Sequence, residues 1–518
     1  MSQPESKTAA DPGKVEKRHV YDGQGTEEDP FVVEFQKDDP GNPMNWSSFR
    51  KKWFITAIAT FSVFAVTFTS SAYSVSANEV FQDLDISTEV FIVGLSLFVL
   101  GFAIGPAVWG PLSELYGRRI LWVTTHIAMV AFLGGSAGSQ NIATLLILRF
   151  FAGTFGGSPL VNSGGTIADL FPPAQRGLAL TIYCVAPFLG PILGPVVGGF
   201  VSENVGWRWV QGVCVIFIGV VGILGVIFIP ETYGPVLLQK RARQLSKTDG
   251  KVYVSVLEKS QGKKKPAEVF KRALFRPWVF LFMEPIVLVA SLYMAIIYGT
   301  VYMFMGAMPI VYNEDRGWSE GIGGLAFMGI AVGIILGLVY AIWDNNSRYM
   351  KLFVSKTVTA ESRLPPAIVG ALALPVGMFA FAWTNFPSIH WSVSIILSAP
   401  FGFGCVLVIL PMMNYLIDSY TIYAASVLAA AAIFRSVVGA VFPLFTTQMY
   451  HNLGIHWASC VPAFMTLACM PFPLIMYRYG AALRMKCKYA FEAAEMMRKM
   501  QMQQAPVAAK KEEDSPSE

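Results

Sequence analysis

The stretch GPLSELYGRRIL, Gly110–Leu121, places one glutamate, two adjacent arginines and two glycines between two long apolar runs. A charged side chain is costly inside hydrocarbon, so these charges should lie where a helix leaves the membrane. Gly110 and Gly117 permit a tight reversal of the chain. The stretch therefore predicts a short polar loop between two helices that cross a membrane.

The composition of the whole chain also indicates a membrane protein. Of the 518 residues, 54% are hydrophobic and 14% are charged, whereas soluble domains carry about 25% charged residues. The six cysteines lack the paired spacing of a zinc site, so we expect small buried hydrophobic residues and no disulfide framework. The polar first 50 residues lack the apolar stretch of a signal peptide.

Apolar runs of about 20 residues are long enough to cross roughly 30 Å of hydrocarbon as helices. The seventh run is long and contains Pro285 and Pro309, which predicts a kink. The sequence predicts twelve spans, near 53–76, 90–110, 120–139, 143–168, 177–201, 209–230, 278–311, 321–343, 365–385, 391–417, 422–447 and 457–479. The fold class is therefore an all-α integral membrane protein.

Lysines and arginines gather in the loops on one side of the predicted membrane. These loops include Arg118, Arg119, Arg176, the segment 263–276, Arg348, Arg363 and the segment 484–488. Cytoplasmic loops carry an excess of such residues. Both termini and the long central loop are therefore predicted to be cytoplasmic.

The loops after spans 2 and 8 echo each other. Glu114 and Arg118 follow span 2, and Asp344 and Arg348 follow span 8 at the same spacing. This echo and the long linker predict two pseudo-symmetric bundles of six helices, with a substrate site between them. The predicted segments are a disordered cytoplasmic tail 1–52, a bundle 53–230, a cytoplasmic linker 231–277, a bundle 278–480 and a cytoplasmic tail 481–518.

Several motifs resemble those of the major facilitator superfamily. GPLSELYGRR resembles its loop signature after span 2, and LRFFAGTFGGS (Leu148–Ser158) resembles its span 4 motif. GPILGPVVGGF (Gly190–Phe200) resembles the span 5 signature of the drug:proton antiporter branch. NYLIDSY (Asn414–Tyr420) and FRSVVGAVFPLF (Phe434–Phe445) resemble fungal members. The resemblance implies export of amphiphilic drugs, toxins, secondary metabolites or polyamines in exchange for protons.

The resemblance also implies a role for the charged loop as a latch at the cytoplasmic surface. Such a latch holds the bundles together when the outside is open and separates when the inside opens. The alternative is that the two arginines only set the topology. The latch residues would be Gly110, Glu114, Gly117, Arg118, Arg119, Asp169 and Arg176.

The span 5 motif combines small residues with prolines. Gly190, Gly194 and Gly198 are four residues apart and share one helix face, which lets another helix approach closely. Pro191 and Pro195 remove backbone donors and bend the helix. Together with Gly199, these residues predict a hinge and seal between the bundles, with ordinary helix packing as the alternative. Span 8 has a similar face at Gly329, Gly333 and Gly337, and span 2 has one at Gly101 and Gly105.

Few charged residues lie within the spans, so each is a candidate functional residue. Glu284 in span 7 and Asp418 in span 10 are candidate proton carriers, because burial favours the protonated form of a carboxyl group. The resemblance makes Arg149 in span 4 the coupling arginine. The alternative is that both acids cap helices or form structural pairs.

The substrate site is predicted from aromatic and amide side chains in spans 4, 5 and 7. Asn162, Tyr183, Tyr298 and Tyr302 suit a flat amphiphilic molecule, although such aromatics also pack helices. Acidic residues are scarce at mid-membrane depth, which favours neutral or weakly charged compounds over polyamines.

The motifs of enzymes and ATP-driven pumps are absent from the sequence. It contains no G-x-x-x-x-G-K-[ST] or H-E-x-x-H pattern. We therefore predict a secondary active exporter that needs no cofactor or metal and is driven by a proton gradient. The alternatives are a polyamine or organic cation antiporter, a proton-independent facilitator and a transporter-like receptor.

The expected partners are a small amphiphilic substrate, protons and the lipid bilayer, without nucleic acid. We expect a monomer in the plasma membrane or, alternatively, the vacuolar membrane.

Overall fold

The structure is a computed structural model that describes residues 21–36, 38–46, 49–262, 266–355, 357–386, 388–496 and 498. Parts of both predicted tails and the lysines 263–265 lie outside the described residues. Contacts divide the chain into two units. The larger unit comprises Pro43–Tyr233 and Lys265–Glu518, and the smaller comprises Met1–Asn42 and Gly234–Lys264.

The larger unit is built from long apolar helices. Its first half contains α1 (Phe49–Ala72), α2 (Ala77–Leu84), α3 (Thr88–Tyr116), α4 (Arg118–Ala137), α5 (Ile142–Leu170), α6 (Pro173–Tyr183), α7 (Ala186–Val205) and α8 (Trp207–Phe228). The tight turns before α4 and α8 are made by Gly117 and Gly206, whose φ angles of 99° and 97° favour glycine.

The smaller unit contains α9 (Gly234–Asp249) and α10 (Val256–Gln261). Its strands β1 (Phe31–Val33) and β2 (Tyr253–Ser255) pair in parallel. The prediction of a disordered tail over 1–52 is therefore wrong for 31–33, and also for 49–52, where α1 has begun. The short strand was missed because its pairing partner lies far along the chain.

The second half of the larger unit follows the linker. It contains α11 (Pro266–Met283), α12 (Pro285–Met308), α13 (Glu320–Gly324), α14 (Met328–Asp344), α15 (Met350–Val354), α16 (Pro365–Trp383), α17 (Trp391–Leu397), α18 (Ala399–Tyr420), α19 (Ala424–Cys469) and α20 (Pro471–Lys486). Residues 488–496 are also helical. The predicted span 278–311 is interrupted at Glu284, and Pro285 starts α12 because proline fits the first helical position.

Ten segments among the described residues are long and apolar enough to cross a membrane. The first nine overlap the first nine predicted spans. The tenth, Trp391–Lys486, contains the last three. It is interrupted at Thr421, with φ of 3° and ψ of −74°, and at Gly454, with φ of 74°. The all-α membrane fold is confirmed, while the division into two bundles stays a prediction because all these helices belong to one contact unit.

The helices present two ends that are used below as reference points. The basic end carries the start of α4 and the ends of α5 and α18, with Arg118, Asp169 and Asp418. The opposite end carries α2, the end of α7 and the start of α13, with Asn78, Glu203 and Glu320. Between the ends, α12 packs mainly on α19, and α19 packs on α3 of the first half.

Candidate functional site

At the basic end, Glu231 is the central acceptor of a cluster in the first half. Its carboxylate accepts hydrogen bonds from the backbone amides of Arg118 at 2.9 Å and Arg119 at 3.3 Å. It also accepts from the amides of Thr232 and Tyr233, both at 3.0 Å. A carboxylate at the first amides of a helix satisfies donors that have no intrahelical partner and complements the helix dipole. Glu231 therefore fixes the start of α4.

The side chain of Arg118 joins the same cluster. Its Nε donates to Asp169 Oδ2 at 3.3 Å, and its guanidinium lies over the ring of Tyr233 at 5.0 Å. Gly117 must remain glycine, because its φ is 99° and a Cβ would lie 2.7 Å from Glu231 Cδ. Glu231 was not among the predicted site residues, because its only signal in the sequence is an acid directly after span 6.

The other predicted latch residues also bond within the first half. Arg119 donates to Val226 O at 3.4 Å, and Arg176 donates to Ala168 O at 2.9 Å. Glu114 is exposed and has no ion pair among the described residues. At Gly110, a Cβ would be 3.7 Å from Val161. These bonds hold the first half together, and the latch between halves stays a prediction.

The second half has its own charge pairs at the basic end. Arg348 binds both carboxylate oxygens of Asp344 at 2.7 Å. Arg363 donates to Asp418 at 3.0 Å, and Arg484 donates to Glu361 at 2.6 Å. Asp418, a predicted proton carrier, is thus ion-paired and its side chain is 32% exposed.

Glu284, the other predicted proton carrier, is 0% exposed between α11 and α12. Its Oε2 accepts a hydrogen bond from the Tyr420 hydroxyl at 2.8 Å, and its Oε1 accepts from the Tyr489 amide at 2.9 Å. The carboxylate therefore ties together the start of α12, the end of α18 and the C-terminal segment. This geometry fits the structural alternative, and the role of Glu284 as a proton carrier stays a prediction.

Arg149 is fully buried within the first half. Its Nε donates to Gly94 O at 2.9 Å, and its guanidinium lies over the rings of Tyr73 at 4.0 Å and Phe98 at 5.1 Å. Its Nη2 also donates to Ser70 O at 3.4 Å, and Arg149 lies about 10 Å along α5 from Ile142. The structure does not bring it together with Glu284 and Asp418, which lie at the basic end.

A layer of hydroxyl groups connects the two halves at mid-depth. Ser70 of α1 donates to Thr67 O at 2.6 Å, so Tyr302 of α12 must donate to Ser70 Oγ at 2.8 Å. The Tyr298 hydroxyl is 3.5 Å from that of Tyr302, and its ring meets Phe188 of α7 edge to face. Two of the predicted substrate residues therefore lie where the halves meet.

The other two predicted substrate residues lie in the first half. Asn162 is buried, with Nδ2 donating to Ser158 Oγ at 2.9 Å and Oδ1 without a partner. The Tyr183 hydroxyl donates to Leu160 O at 2.6 Å. Arg435 of α19 connects this pair of helices to Tyr298, because its charge interacts with Tyr183 and its guanidinium lies 4.8 Å from the Tyr298 ring centre.

Arg435 was absent from the predicted site, although a charge within an apolar span signals function. The hydroxyl-rich run TFTSSAYS at the end of α1, which contains Ser70, was not predicted as part of the site either.

The predicted role of the span 5 glycines needs correction. A Cβ at Gly194 would lie 2.6 Å from Phe68 O, and one at Gly198 would lie 2.6 Å from Ala72 O. This face, including Gly190, packs on α1 of the same half and not between the bundles. Pro191 is buried in the same helix. The faces of spans 2 and 8 likewise pack within their own halves, on α5 and on α17 and α18.

Within the span 5 motif, Gly199 and Pro195 contact the other half. A Cβ at Gly199 would lie 2.5 Å from Glu320 O, and one at Gly324 would lie 2.6 Å from Pro195 O. Two hydrogen bonds reinforce this contact at the opposite end. Asn78 donates to Glu320 at 3.1 Å, and the amide of Gly321 donates to Glu203 at 3.0 Å.

A cavity of about 150 Å³ lies between the halves at the opposite end. Its lining includes Ser74, which lies just after α1, Met305 of α12 and Pro443 of α19. Ser74 donates to Met305 Sδ at 3.9 Å, one helical turn from the Ser70–Tyr302 bond. The hydroxyl layer therefore separates this cavity from the interior near Arg435.

The described part of the chain contains no candidate metal site and no disulfide bond. No group of three or more His, Cys, Asp or Glu side chains there could hold a metal ion. All six cysteines are free, and four of them are buried.

Comparison with known proteins identifies the family. The sequence profile of the Major Facilitator Superfamily matches residues 56–443, so the chain belongs to this superfamily. A solved structure of the xylose transporter XylE from E. coli shares the fold, with a TM-score of 0.59 and 18% identity, and the alignment covers 83% of this chain and 99% of that chain.

Two fungal relatives cover nearly all of the chain. The Major facilitator-type transporter sorT of Penicillium rubens is 84% identical over 100% of this chain and 99% of the relative. The MFS-type efflux pump MFS2 of Trichophyton rubrum is 57% identical over 96% of this chain and 84% of the relative.

Proposed function

We propose that this protein is a secondary active transporter that exports flat amphiphilic compounds by proton antiport. The observation that carries the proposal is the layer of Ser70, Tyr298 and Tyr302 where the two halves meet. Polar hydroxyls and aromatic rings at mid-depth offer a site for an amphiphile. Membership of the superfamily and an efflux pump among the relatives support transport and its outward direction.

The contacts between the two halves differ at the basic end and the opposite end, and this difference supports alternating access. At the opposite end, Gly199 and the two bonds to α13 join the halves. At the basic end, the charge clusters around Glu231 and around Asp418 each lie within one half. Separation at either end therefore breaks few polar bonds, which suits halves that rock about a central site.

The proposal includes the orientation of the protein and the membrane in which it lies. The excess of Lys and Arg places the basic end and both termini in the cytoplasm. We propose a monomer in the plasma membrane, with the vacuolar membrane as the alternative. No cofactor is required, because the proton gradient supplies the energy.

A proton-independent facilitator is the second candidate. It is favoured by the separation of Arg149 from Glu284 and Asp418, since coupling through direct contact among these three does not occur in this arrangement. Polycations are disfavoured as substrates, because the charge nearest Tyr298 is that of Arg435.

Transport by purified protein in liposomes tests the proposal. Protease access to the central linker determines the orientation of the protein in the liposomes. A panel of hydrophobic drugs, aromatic metabolites and spermidine is then tested with and without a pH gradient. We expect amphiphiles to accumulate on the acidic side and to be released by a protonophore. Equilibration without gradient dependence would make the protein a facilitator, and absence of transport would reject the proposal.

The variant Glu284→Gln tests whether Glu284 carries the coupled proton while its structural hydrogen bonds are largely kept. The amide retains a carbonyl for the Tyr489 amide and an NH₂ group that can donate to the Tyr420 oxygen, so the variant should fold. It cannot exchange a proton. We expect the pH gradient no longer to accelerate transport, while equilibrium binding of substrate is unchanged.

Tyr420→Phe is the matched control. It removes one hydrogen bond to Glu284 without removing the carboxylate, so it should lower the melting temperature and retain gradient dependence. If Glu284→Gln keeps the pH dependence of the wild-type protein, Glu284 is not the proton carrier, and Asp418→Asn becomes the next variant to measure.

A further inference from the structure

We propose that Arg435 binds the negative charge of the substrate, so that the site accepts planar aromatic compounds with one anionic group. This inference rests on the proposed function, which locates the substrate between the two halves. It narrows amphiphiles to weak acids such as carboxylates, phenolates or enolates.

Arg435 lies at the depth of the tyrosine layer. At 1.5 Å per residue it is about 16 Å along α19 from Ala424, and Tyr298 is about 20 Å along α12 from Pro285. A charged group at mid-depth is costly unless it is paired or faces a polar space. Arg435 is partly exposed, whereas Tyr298 and Tyr302 are buried.

Arg435 lacks the partners that other arginines have. Carboxylates pair with Arg118, Arg348, Arg363 and Arg484. Over the described part of the chain, Arg435 forms neither an ion pair nor a hydrogen bond, and its Nε is buried without a partner. Its guanidinium lies over the face of the Tyr298 ring. The guanidinium is therefore available to an incoming anion.

The surroundings of Arg435 fit an aromatic anion in particular. A guanidinium presents donors in a planar fork that matches a carboxylate. The rings of Tyr298 and Phe188 offer faces and edges for stacking, and the charge of Arg435 also interacts with Tyr183. In a site of low dielectric constant, the charge of Arg435 favours an anion over its neutral analogue and repels a cation.

The test compares binding of 2-naphthoate with that of 2-naphthamide at pH 7 by isothermal titration calorimetry of purified protein in detergent. The probes have nearly the same shape and differ in charge. For the wild-type protein we expect naphthoate to bind at least about tenfold more tightly than naphthamide. Arg435→Gln should remove this preference and Arg435→Lys should retain part of it. Arg243→Gln, which removes an exposed arginine in the linker, should leave it unchanged.

Each result bears on the inference. Equal binding of the two probes by wild-type protein, or no binding of either, overturns it. Equal weakening of both probes in Arg435→Gln, with a lowered melting temperature, makes Arg435 a structural residue. Because binding needs neither membrane nor gradient, naphthoate binding through Arg435 without transport in liposomes would reject the proposed function and leave the anion site standing.

Discussion

Glu231→Ala is expected to lower both stability and transport strongly. The carboxylate accepts four backbone N–H groups, two of them at the start of α4, and it is 9% exposed. Removing it leaves these donors without their acceptor and removes the negative charge at the helix N-terminus. Charge-assisted hydrogen bonds and helix caps together suggest a loss of about 3 kcal/mol of unfolding free energy. The melting temperature of the detergent-purified protein and the initial transport rate measure the effect.

Glu114→Ala is the control for this experiment. Glu114 lies in the same loop and carries the same charge, but it is exposed and has no ion pair in the described structure. Its replacement should change stability by less than about 0.5 kcal/mol. Equal melting temperatures for the two variants would contradict the role assigned to Glu231. Loss of transport in Glu114→Ala without loss of stability would instead favour the predicted latch between halves.

Gly199→Val is expected to hold the opposite end of the protein open. A Cβ at this position would lie 2.5 Å from the backbone oxygen of Glu320, so α13 cannot approach α7 without a shift. Overpacking of this kind costs about 1–3 kcal/mol, which shifts a two-state equilibrium by about 5–150-fold. We expect transport to fall by a similar factor, because closure at this end becomes the minor state.

Distances between spin labels at Asn204 and Asp315 measure this opening directly. Both positions are exposed at the opposite end, one in each half. The label-to-label distance should increase in Gly199→Val and stay as in the wild-type protein in Gly134→Val, since a Cβ at Gly134 meets nothing within 4 Å. An unchanged distance in Gly199→Val would show that the contact with Glu320 is not a closing surface.

The sequence predicted the spans well, because hydrocarbon demands about 20 apolar residues whatever their neighbours. All twelve predicted spans overlap the ten membrane-length segments of the described residues. The break of span 7 at Pro285 was also predictable, because proline acts locally. Glycines four residues apart in span 5 correctly indicated a close helix contact.

The contacts that individual residues make with distant parts of the chain were harder to predict. Gly194 and Gly198 were predicted to lie at the interface between the bundles, yet they pack on α1 of their own half. Glu231 was missed because the backbone amides of Arg118 and Arg119, which donate to its carboxylate, lie far away in the chain and leave no residue pattern. Arg149, Glu284 and Asp418 were each recognised as charged residues within predicted spans. The distances between them could not be predicted from the sequence.

The sequence by itself determined which segments enter the membrane, where helices break and which side carries the positive charge, because these properties depend on transfer free energies and backbone sterics of each segment. Only the tertiary structure decided that Gly199 rather than Gly194 meets the other half and that Glu231 caps α4. It also decided that Arg435, beside Tyr298, has no anionic partner among the described residues. These outcomes depend on distances between residues remote in the chain, and those distances are set by how all the helices pack together.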